Sequence, residues 1–204
     1  MPGSDAKTAI ERQKITGLVL AGGLGRRMSD DGLGLDKGLQ PFRGKPMAAH
    51  VIERLKPQVG PLLINANRNQ QQYEHFGAPV IADAIEGYAG PLAGLHAGMI
   101  RTTTPYLATV PCDSPFLPLD LVERLASELI SQEAQLAVAY SGAQAYPVFM
   151  LLDMQVRDSL EAFLATGRRK IDAWYAALQV ATVDFEDDDA FRNINTPQEL
   201  RQFE

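Results

Sequence analysis

Short apolar runs alternate along this chain with longer segments in which apolar residues recur every three or four positions. The runs at 15–21, 62–66, 79–82, 106–111, 135–140, 145–152 and 180–185 have the length and composition of strands. The segments 46–56, 92–101, 118–131, 155–165, 169–178 and 197–203 have helical spacing, as in 118–131, where Leu121, Leu125 and Leu129 share one face. Short strands alternating with helices predict an α/β fold with a mainly parallel sheet. The two runs within 135–152 are joined only by Ser141-Gly142-Ala143-Gln144, which predicts a local antiparallel element and hence a mixed sheet. Pro46 and Pro118 mark helix starts, where a missing N–H costs nothing. Thr196-Pro197-Gln198-Glu199 reads as an N-cap, a proline and an acidic third residue. Residues 1–13 are expected to form a flexible tail and 14–204 a single domain.

The sharpest departure from this pattern follows the first run. Ile15–Leu20 breaks abruptly into Ala21, Gly22, Gly23 and Gly25, then Arg26 and Arg27. Glycines let backbone N–H groups approach a ligand with no Cβ in the way, and successive N–H groups in such a turn form an anion site. Arg26, Arg27 and Lys37 add positive charge suited to a polyphosphate. Neither common phosphate motif fits. Gly44-Lys45 is followed by Pro46 rather than Ser or Thr, and Met28 stands where a dinucleotide fingerprint needs a small residue. A strand-to-helix turn without ligand is the bland alternative.

In open α/β sheets, ligands bind outside the carboxyl ends of the strands. There the first four strands deliver Leu20-Ala21-Gly22-Gly23, then Asn65-Ala66-Asn67-Arg68, then Asp83, then Cys112-Asp113. These groups can converge on one crevice. Asp113 suits Mg²⁺, which bridges one or two carboxylates to substrate phosphates; its alternative is a turn residue before Pro115. Lys37 is either a surface lysine or a neutraliser of phosphate charge, with Asp36 placed to orient it. Gly90 and Gly94 open a helix, and serve either close helix–strand packing or approach of a base or ribose. His50, His75 and His96 have no metal-ligand spacing. Cys112 has no adjacent base that would make it a nucleophile.

Composition narrows the class. Over 204 residues, 46% hydrophobic and 22% charged content is that of an ordinary globular domain. No apolar run approaches the roughly 20 residues needed to cross a bilayer. Met1–Lys14 lacks the apolar core of a secretory signal. One cysteine excludes an intrachain disulfide and a thiol-rich metal site. Together these points favour a cytoplasmic protein without a membrane partner. A net charge of −6 argues against a nucleic-acid partner. About half of the lysines and arginines nevertheless lie in the first 56 residues, which suits a small anionic ligand, while Glu186–Asp189 reads as a solvated loop.

With these residues in view, the chain resembles the nucleotidyltransferases that join a nucleoside monophosphate to a phosphorylated acceptor, and among them the molybdenum cofactor guanylyltransferases. The resemblance rests on Leu20-Ala21-Gly22-Gly23 with Arg27-Met28, on Asp36-Lys37, on Gly44-Lys45-Pro46 and on Asn65-Ala66-Asn67-Arg68. It continues through Gly90-Pro91-Leu92-Ala93-Gly94, Pro111-Cys112-Asp113-Ser114-Pro115 and Asn193-Ile194-Asn195-Thr196-Pro197. It implies a Rossmann-like three-layer sandwich in one domain. It implies transfer of GMP from GTP to molybdenum-bound molybdopterin, releasing pyrophosphate, with Mg²⁺ required. Leu20, Ala21, Gly22 and Gly23 would meet the nucleotide through backbone. Lys37, Asn65, Asp83 and Asp113 would complete the GTP site, with Gly90 and Gly94 nearby. Arg27, Lys37 and Asp113 would act on the reacting phosphates, Asp113 as the metal ligand. Asn193 and Asn195 would lie on the acceptor side.

An extended segment would put both of those amides on one face and Ile194 on the other; capping of the following helix is the competing role. Ser29–Leu35 is longer than the family's usual link and is expected to be either a mobile lid over the phosphates or disordered. Arg168-Arg169-Lys170 reads as a solvated helix start, or as a contact for the pterin phosphate or an acceptor protein. Transient contact with a molybdenum-insertion protein or an acceptor molybdoenzyme is compatible with the resemblance. Two rival functions remain. One is a nucleotidyltransferase of the same fold with another nucleobase or phosphate acceptor, such as the cytidylyltransferase of the same pathway, whose loop is more often Leu-Ala-Ala-Gly. The other is a non-catalytic nucleotide-binding adaptor, which Arg27, Lys37 and Asp113 together argue against.

Overall fold

The structure, a computed structural model, describes residues 9–21, 36–85 and 90–203. Its strands are β1 (Ile15–Leu20), β2 (Pro41–Phe42), β3 (Lys45–Pro46), β4 (Leu62–Asn65) and β5 (Val80–Ile81). They continue with β6 (Tyr106–Pro111), β7 (Leu136–Ser141), β8 (Gln144–Asp153) and β9 (Val180–Asp184). The helices are α1 (Met47–Leu55), α2 (Gln70–Glu74), α3 (Pro91–Arg101), α4 (Leu121–Ser131), α5 (Arg157–Ala165), α6 (Ile171–Tyr175) and α7 (Pro197–Phe203). Seven strands form one sheet in the order β5-β4-β1-β6-β8-β7-β9, while β2 and β3 pair separately. Neighbours are parallel except that β8 runs against both β6 and β7. The reversed strand follows from the two-residue connection Gly142-Ala143, in which Gly142 takes the positive φ of 56° that a tight hairpin requires. The expected mixed, mostly parallel α/β sheet is therefore present.

Alternation along the strands builds three layers. Ile15 and Val19 of β1 join Ala108 and Val110 of β6 beneath α1 and α4, whose Val51, Leu55, Leu121 and Leu125 are buried there. The intervening Leu18, Leu107, Leu136 and Val138 face the other way, against Leu92, Leu95, Leu160 and Trp174 of α3, α5 and α6. The period of two thus sends one apolar set to each helical layer. Helix α3 lies unusually close to β1. A Cβ at Gly98 would collide with the side chain of Leu18, and one at Gly94 with the amide of Asn65.

The predicted elements hold with changes at their ends. Helix α4 starts at Leu121 rather than at Pro118. Helix α5 starts at Arg157, because the Asp153 carboxylate first caps a short turn over Met154–Val156 by accepting from the Gln155 N–H. Only Ile171–Tyr175 of the segment 169–178 is helical. Upstream of it, Arg169 donates to the Leu164 carbonyl at the end of α5 and Arg168 stacks on Phe163. Pro46 ends β3 instead of opening the helix, which begins at Met47. The β2–β3 hairpin turns through Arg43 and Gly44, both at positive φ, and was not foreseen; nor was α2, which is short and almost entirely polar. Before β1, Arg12–Lys14 makes a single tight turn and Ile10 packs against the core.

Candidate active site

Chain order reverses between β1 and β6: β4 and β5 extend the sheet on one side of β1, and β6 starts the other. Such a switch point opens a crevice at the carboxyl ends of the strands. Leu20 sits level with Asn65 on one side and Pro111 on the other. Pairing continues one step further, with Ala21 N–H donating to the Asn65 carbonyl at 2.8 Å and Cys112 N–H to the Leu20 carbonyl at 3.1 Å. The residues that leave these strands are therefore held by backbone as well as by side chains. Of those named from the sequence, Gly22, Gly23 and Arg27 lie outside the described residues, as do Arg26 and the segment Ser29–Leu35.

Two polar clusters flank the crevice. On the β4–β5 side, the buried Asn65 donates from Nδ2 to Asp83 Oδ1 at 2.9 Å, and Asn67 donates to Asp83 Oδ2 at 2.8 Å. Asn67 Oδ1 also accepts from the Asp83 backbone N–H at 2.8 Å. Both carboxylate oxygens of Asp83 are thus fixed by amides.

On the β6 side, the Lys37 ammonium lies 3.2 Å from Asp113 Oδ2 and 2.5 Å from Asn195 Oδ1. These residues are 76 and 158 positions from Lys37 in sequence. The Asp113 side chain is only 12% exposed. Burial pushes its carboxyl above the ordinary range, and Lys37 partly offsets this. The Asp113 carbonyl accepts from the Ile194 N–H at 2.9 Å, and Ser114 Oγ donates to Asn193 Oδ1. The segment 193–195 is thereby fastened beside the β6 terminus.

The extended reading of that segment holds. Ile194 is fully buried with Phe42 and Met47, while both amides face the polar site. The side chains that cap α7 are other ones. Glu199 N–H donates to Thr196 Oγ1 at 3.1 Å, and Glu199 Oε2 accepts from the Thr196 and Asn195 N–H groups. That reciprocal box is what Thr196-Pro197-Gln198-Glu199 predicts.

The structure defines the partners of Asp36 and Gly94. Asp36 does not orient Lys37 by side-chain contact: its carboxylate accepts from Tyr73 OH at 2.5 Å and from Asn69 Nδ2 at 2.9 Å. Gly94 meets the Asn65 amide and Leu20 side chain, so its small size is consumed by helix–strand packing. Gly90 differs, with φ of 77° and, among the described residues, no atom within 4 Å of where a Cβ would be. Tyr73 and Asn69 escaped the sequence reading because α2 carries no apolar period; a lone tyrosine among glutamines was the only signal.

Beside Asn193 and Asn195 opens a cavity of about 790 Å³, bordered by Ser141, Gln144, Tyr146, Asp188 and Arg192. It is lined by both polar and apolar groups and lies on the β8–β7 side of Asp113, away from the Asn65–Asp83 cluster. The site thus has two compartments with Lys37 and Asp113 between them. No group of three or more His, Cys, Asp or Glu side chains suited to a metal occurs among the described residues. Asp113 alone still fits a magnesium ion whose remaining ligands are substrate phosphates and water.

Residues 17–182 match the family described as the MobA-like NTP transferase domain. A molybdenum cofactor guanylyltransferase of Cupriavidus taiwanensis is 51% identical over 200 residues, covering 96% of this chain and 98% of that protein. One of Shewanella sediminis is 50% identical over 190 residues, covering 93% and 95%. Among solved structures, molybdopterin-guanine dinucleotide biosynthesis protein A of Archaeoglobus fulgidus superposes with a TM-score of 0.74 at 25% identity, covering 92% of this chain and 96% of that one. A CMP:2-keto-3-deoxy-manno-octonic acid synthetase at 16% identity shares the fold, with a TM-score of 0.69.

Proposed function

Because the chain belongs to the family of MobA-like NTP transferases, we propose that it transfers GMP from GTP to the phosphate of molybdenum-bound molybdopterin, releasing pyrophosphate. The observation that carries this reading is the Lys37 ammonium between Asp113 and Asn195, where the strand-end crevice meets the second cavity. A phosphate oxygen of the acceptor forms a bond to the α-phosphorus of GTP. The bond from that phosphorus to the bridging oxygen breaks, and its electron pair leaves with pyrophosphate. The attacking phosphate is already anionic, so the protein has to position two polyanions and offset their charge rather than supply a general base.

Each residue has a part in that task. Leu20 and Ala21 present backbone to the nucleotide, and the amide-braced Asp83 with Asn65 forms its far wall. Lys37 neutralises charge on the phosphates beyond the first. Asp113 would hold Mg²⁺, which when bound supplies further neutralisation of the phosphates. Asn193 and Asn195 face the cavity of about 790 Å³, which takes the pterin; amides offer both donors and an acceptor to a pterin edge. The resemblance also assigns Gly22, Gly23 and Arg27 to contacts with the GTP phosphates. No helix among the described residues is long and apolar enough to cross a membrane, and we place the reaction in the cytoplasm.

Calorimetric titration of the four nucleoside triphosphates with Mg²⁺, followed by pyrophosphate release with loaded molybdopterin, tests this reading. GTP should bind most tightly and be the one that releases pyrophosphate. Preference for CTP would favour the cytidylyltransferase, and binding without release would favour a non-catalytic adaptor.

A further inference from the structure

Lys37 reaches Asp113 from a single tight turn, Lys37–Leu39, that belongs to none of the sheet strands. What holds that turn in place is a contact the reaction does not require. Asp36, immediately before Lys37, accepts from Tyr73 OH at 2.5 Å and Asn69 Nδ2 at 2.9 Å, both from the α2 region. The Asp36 carbonyl accepts from the Leu39 N–H at 3.2 Å and the Gln40 side chain at 3.0 Å, so the carboxylate and the turn are one unit.

On the far side, Gly38 lies directly on Tyr73 and Cys112. A Cβ there would collide with Tyr73 OH and come within 3.0 Å of Cys112 Sγ. Tyr73 itself is fully buried, its ring edge-on to Phe76 at 5.9 Å, so its hydroxyl position is fixed by the core. Asn69 is held at φ of 54°, and the Gln72 and Tyr73 N–H groups donate to its carbonyl. The α2 region follows directly on Asn65 and Asn67.

We propose that Tyr73 and Asn69 are positioning residues for the nucleotidyl transfer. Through Asp36 they register the Lys37 turn against the β4 end of the crevice, so that the ammonium meets the outer phosphates of the nucleotide. The physical case is one of preorganisation. A lysine stem has four rotatable carbons and a mobile charge; anchoring its backbone removes part of the ordering cost that phosphate binding otherwise meets. The anchor is charge-assisted, from a neutral hydroxyl and an amide to a carboxylate, the stronger class of hydrogen bond. Burial drives the tyrosine hydroxyl to stay protonated, which keeps it a donor. This inference rests on Lys37 acting on the phosphates beyond the first.

The test is a double-mutant cycle read by binding of GTP and GMP with Mg²⁺. Tyr73→Phe keeps the ring and deletes the donor. It should lower the ratio of GTP to GMP affinity about tenfold, equivalent to about 1.4 kcal/mol, with GMP affinity little changed. Asp36→Ala should do the same while leaving the Tyr73 side chain itself unaltered, which guards against misfolding of Tyr73→Phe. Lys37→Ala should abolish the excess affinity for GTP, and Tyr73→Phe added to it should have no further effect on the ratio. If Lys37→Ala alone leaves the ratio intact, the lysine's role fails and with it the basis of the inference. If Lys37→Ala lowers the ratio while Tyr73→Phe and Asp36→Ala do not, or if the losses simply add, the positioning role is overturned and Lys37 keeps its own.

Discussion

The Lys37 ammonium and the Asp113 carboxylate, 76 residues apart in sequence, lie 3.2 Å apart between two polar compartments of one crevice. Neither charge is fully neutralised by the other. Asp113 is desolvated strongly enough that its carboxyl stays raised despite Lys37, and Lys37 keeps a second partner in Asn195. A pair balanced in this way can exchange its mutual contact for phosphate and metal ligands without stranding a buried charge.

Asp113→Asn should abolish turnover while leaving the metal-free fold at least as stable as wild type at neutral pH. The amide keeps the volume and loses the charge needed for Mg²⁺, at a cost of at least about a hundredfold in kcat. The stability sign follows from the raised carboxyl. The folded state binds its proton more tightly than the unfolded chain, so ionising Asp113 as pH rises costs stability. The asparagine variant escapes that cost, and its advantage should shrink as pH falls through the carboxyl range. Thermal melts of both proteins across pH 4–8, paired with turnover, check both halves. Normal turnover would count against the metal assignment.

Asn195→Ala should raise the acceptor Michaelis constant far more than it weakens GTP, because Lys37 keeps Asp113 as a partner. Its melting temperature should change little, since the cap of α7 is made by Thr196 and Glu199. Glu199→Ala should behave in the opposite way, losing about 1 kcal/mol, or about 2–4 °C for a domain of this size, with smaller kinetic change. A large loss of stability in Asn195→Ala with an unchanged acceptor constant would return Asn195 to a structural role.

Gly94→Ala and Gly98→Ala separate packing from binding. Both put a methyl group into the α3–β1 contact, and both should destabilise by about 1–3 kcal/mol despite alanine's better helix propensity. The Gly94 methyl meets the Asn65 amide that braces Asp83, whereas the Gly98 methyl meets Leu18. Only Gly94→Ala should therefore weaken GTP binding by calorimetry. Equal GTP affinity in the two variants would remove the Asn65–Asp83 brace from the nucleotide site.

Cys112, the one cysteine of the chain, should label very slowly with a thiol reagent in the native protein and rapidly in denaturant. Burial pushes its thiol well above the ordinary value, and the Asp113 and Asp36 charges push it further; the thiolate is the reactive form. Fast native labelling would show that the β6 terminus opens in solution, contrary to its packing against Gly38.

Much of this protein is set by local sequence. The apolar runs at 15–20 and 106–111 and the helical spacing in 118–131 demand a sheet covered on both faces. The link Gly142-Ala143 forces one antiparallel pair, and Thr196 with Glu199 caps the last helix through contacts three residues apart. Asn193, Ile194 and Asn195 alternate as an extended segment does. Other features were decided by tertiary structure alone. That Asp36 answers to Tyr73 rather than to its neighbour Lys37 depends on where a five-residue polar helix docks, and no period in 70–74 records it. That Gly94 is spent on Asn65 depends on the approach of α3 to β1. The meeting of Lys37, Asp113 and Asn195 depends on the chain bringing Asn195 back, at the β6 terminus, to a lysine 158 residues before it. Hydrophobic periodicity specifies which face of an element is buried; which elements become neighbours is settled by the packing of whole layers, and side-chain partners distant in sequence follow from that.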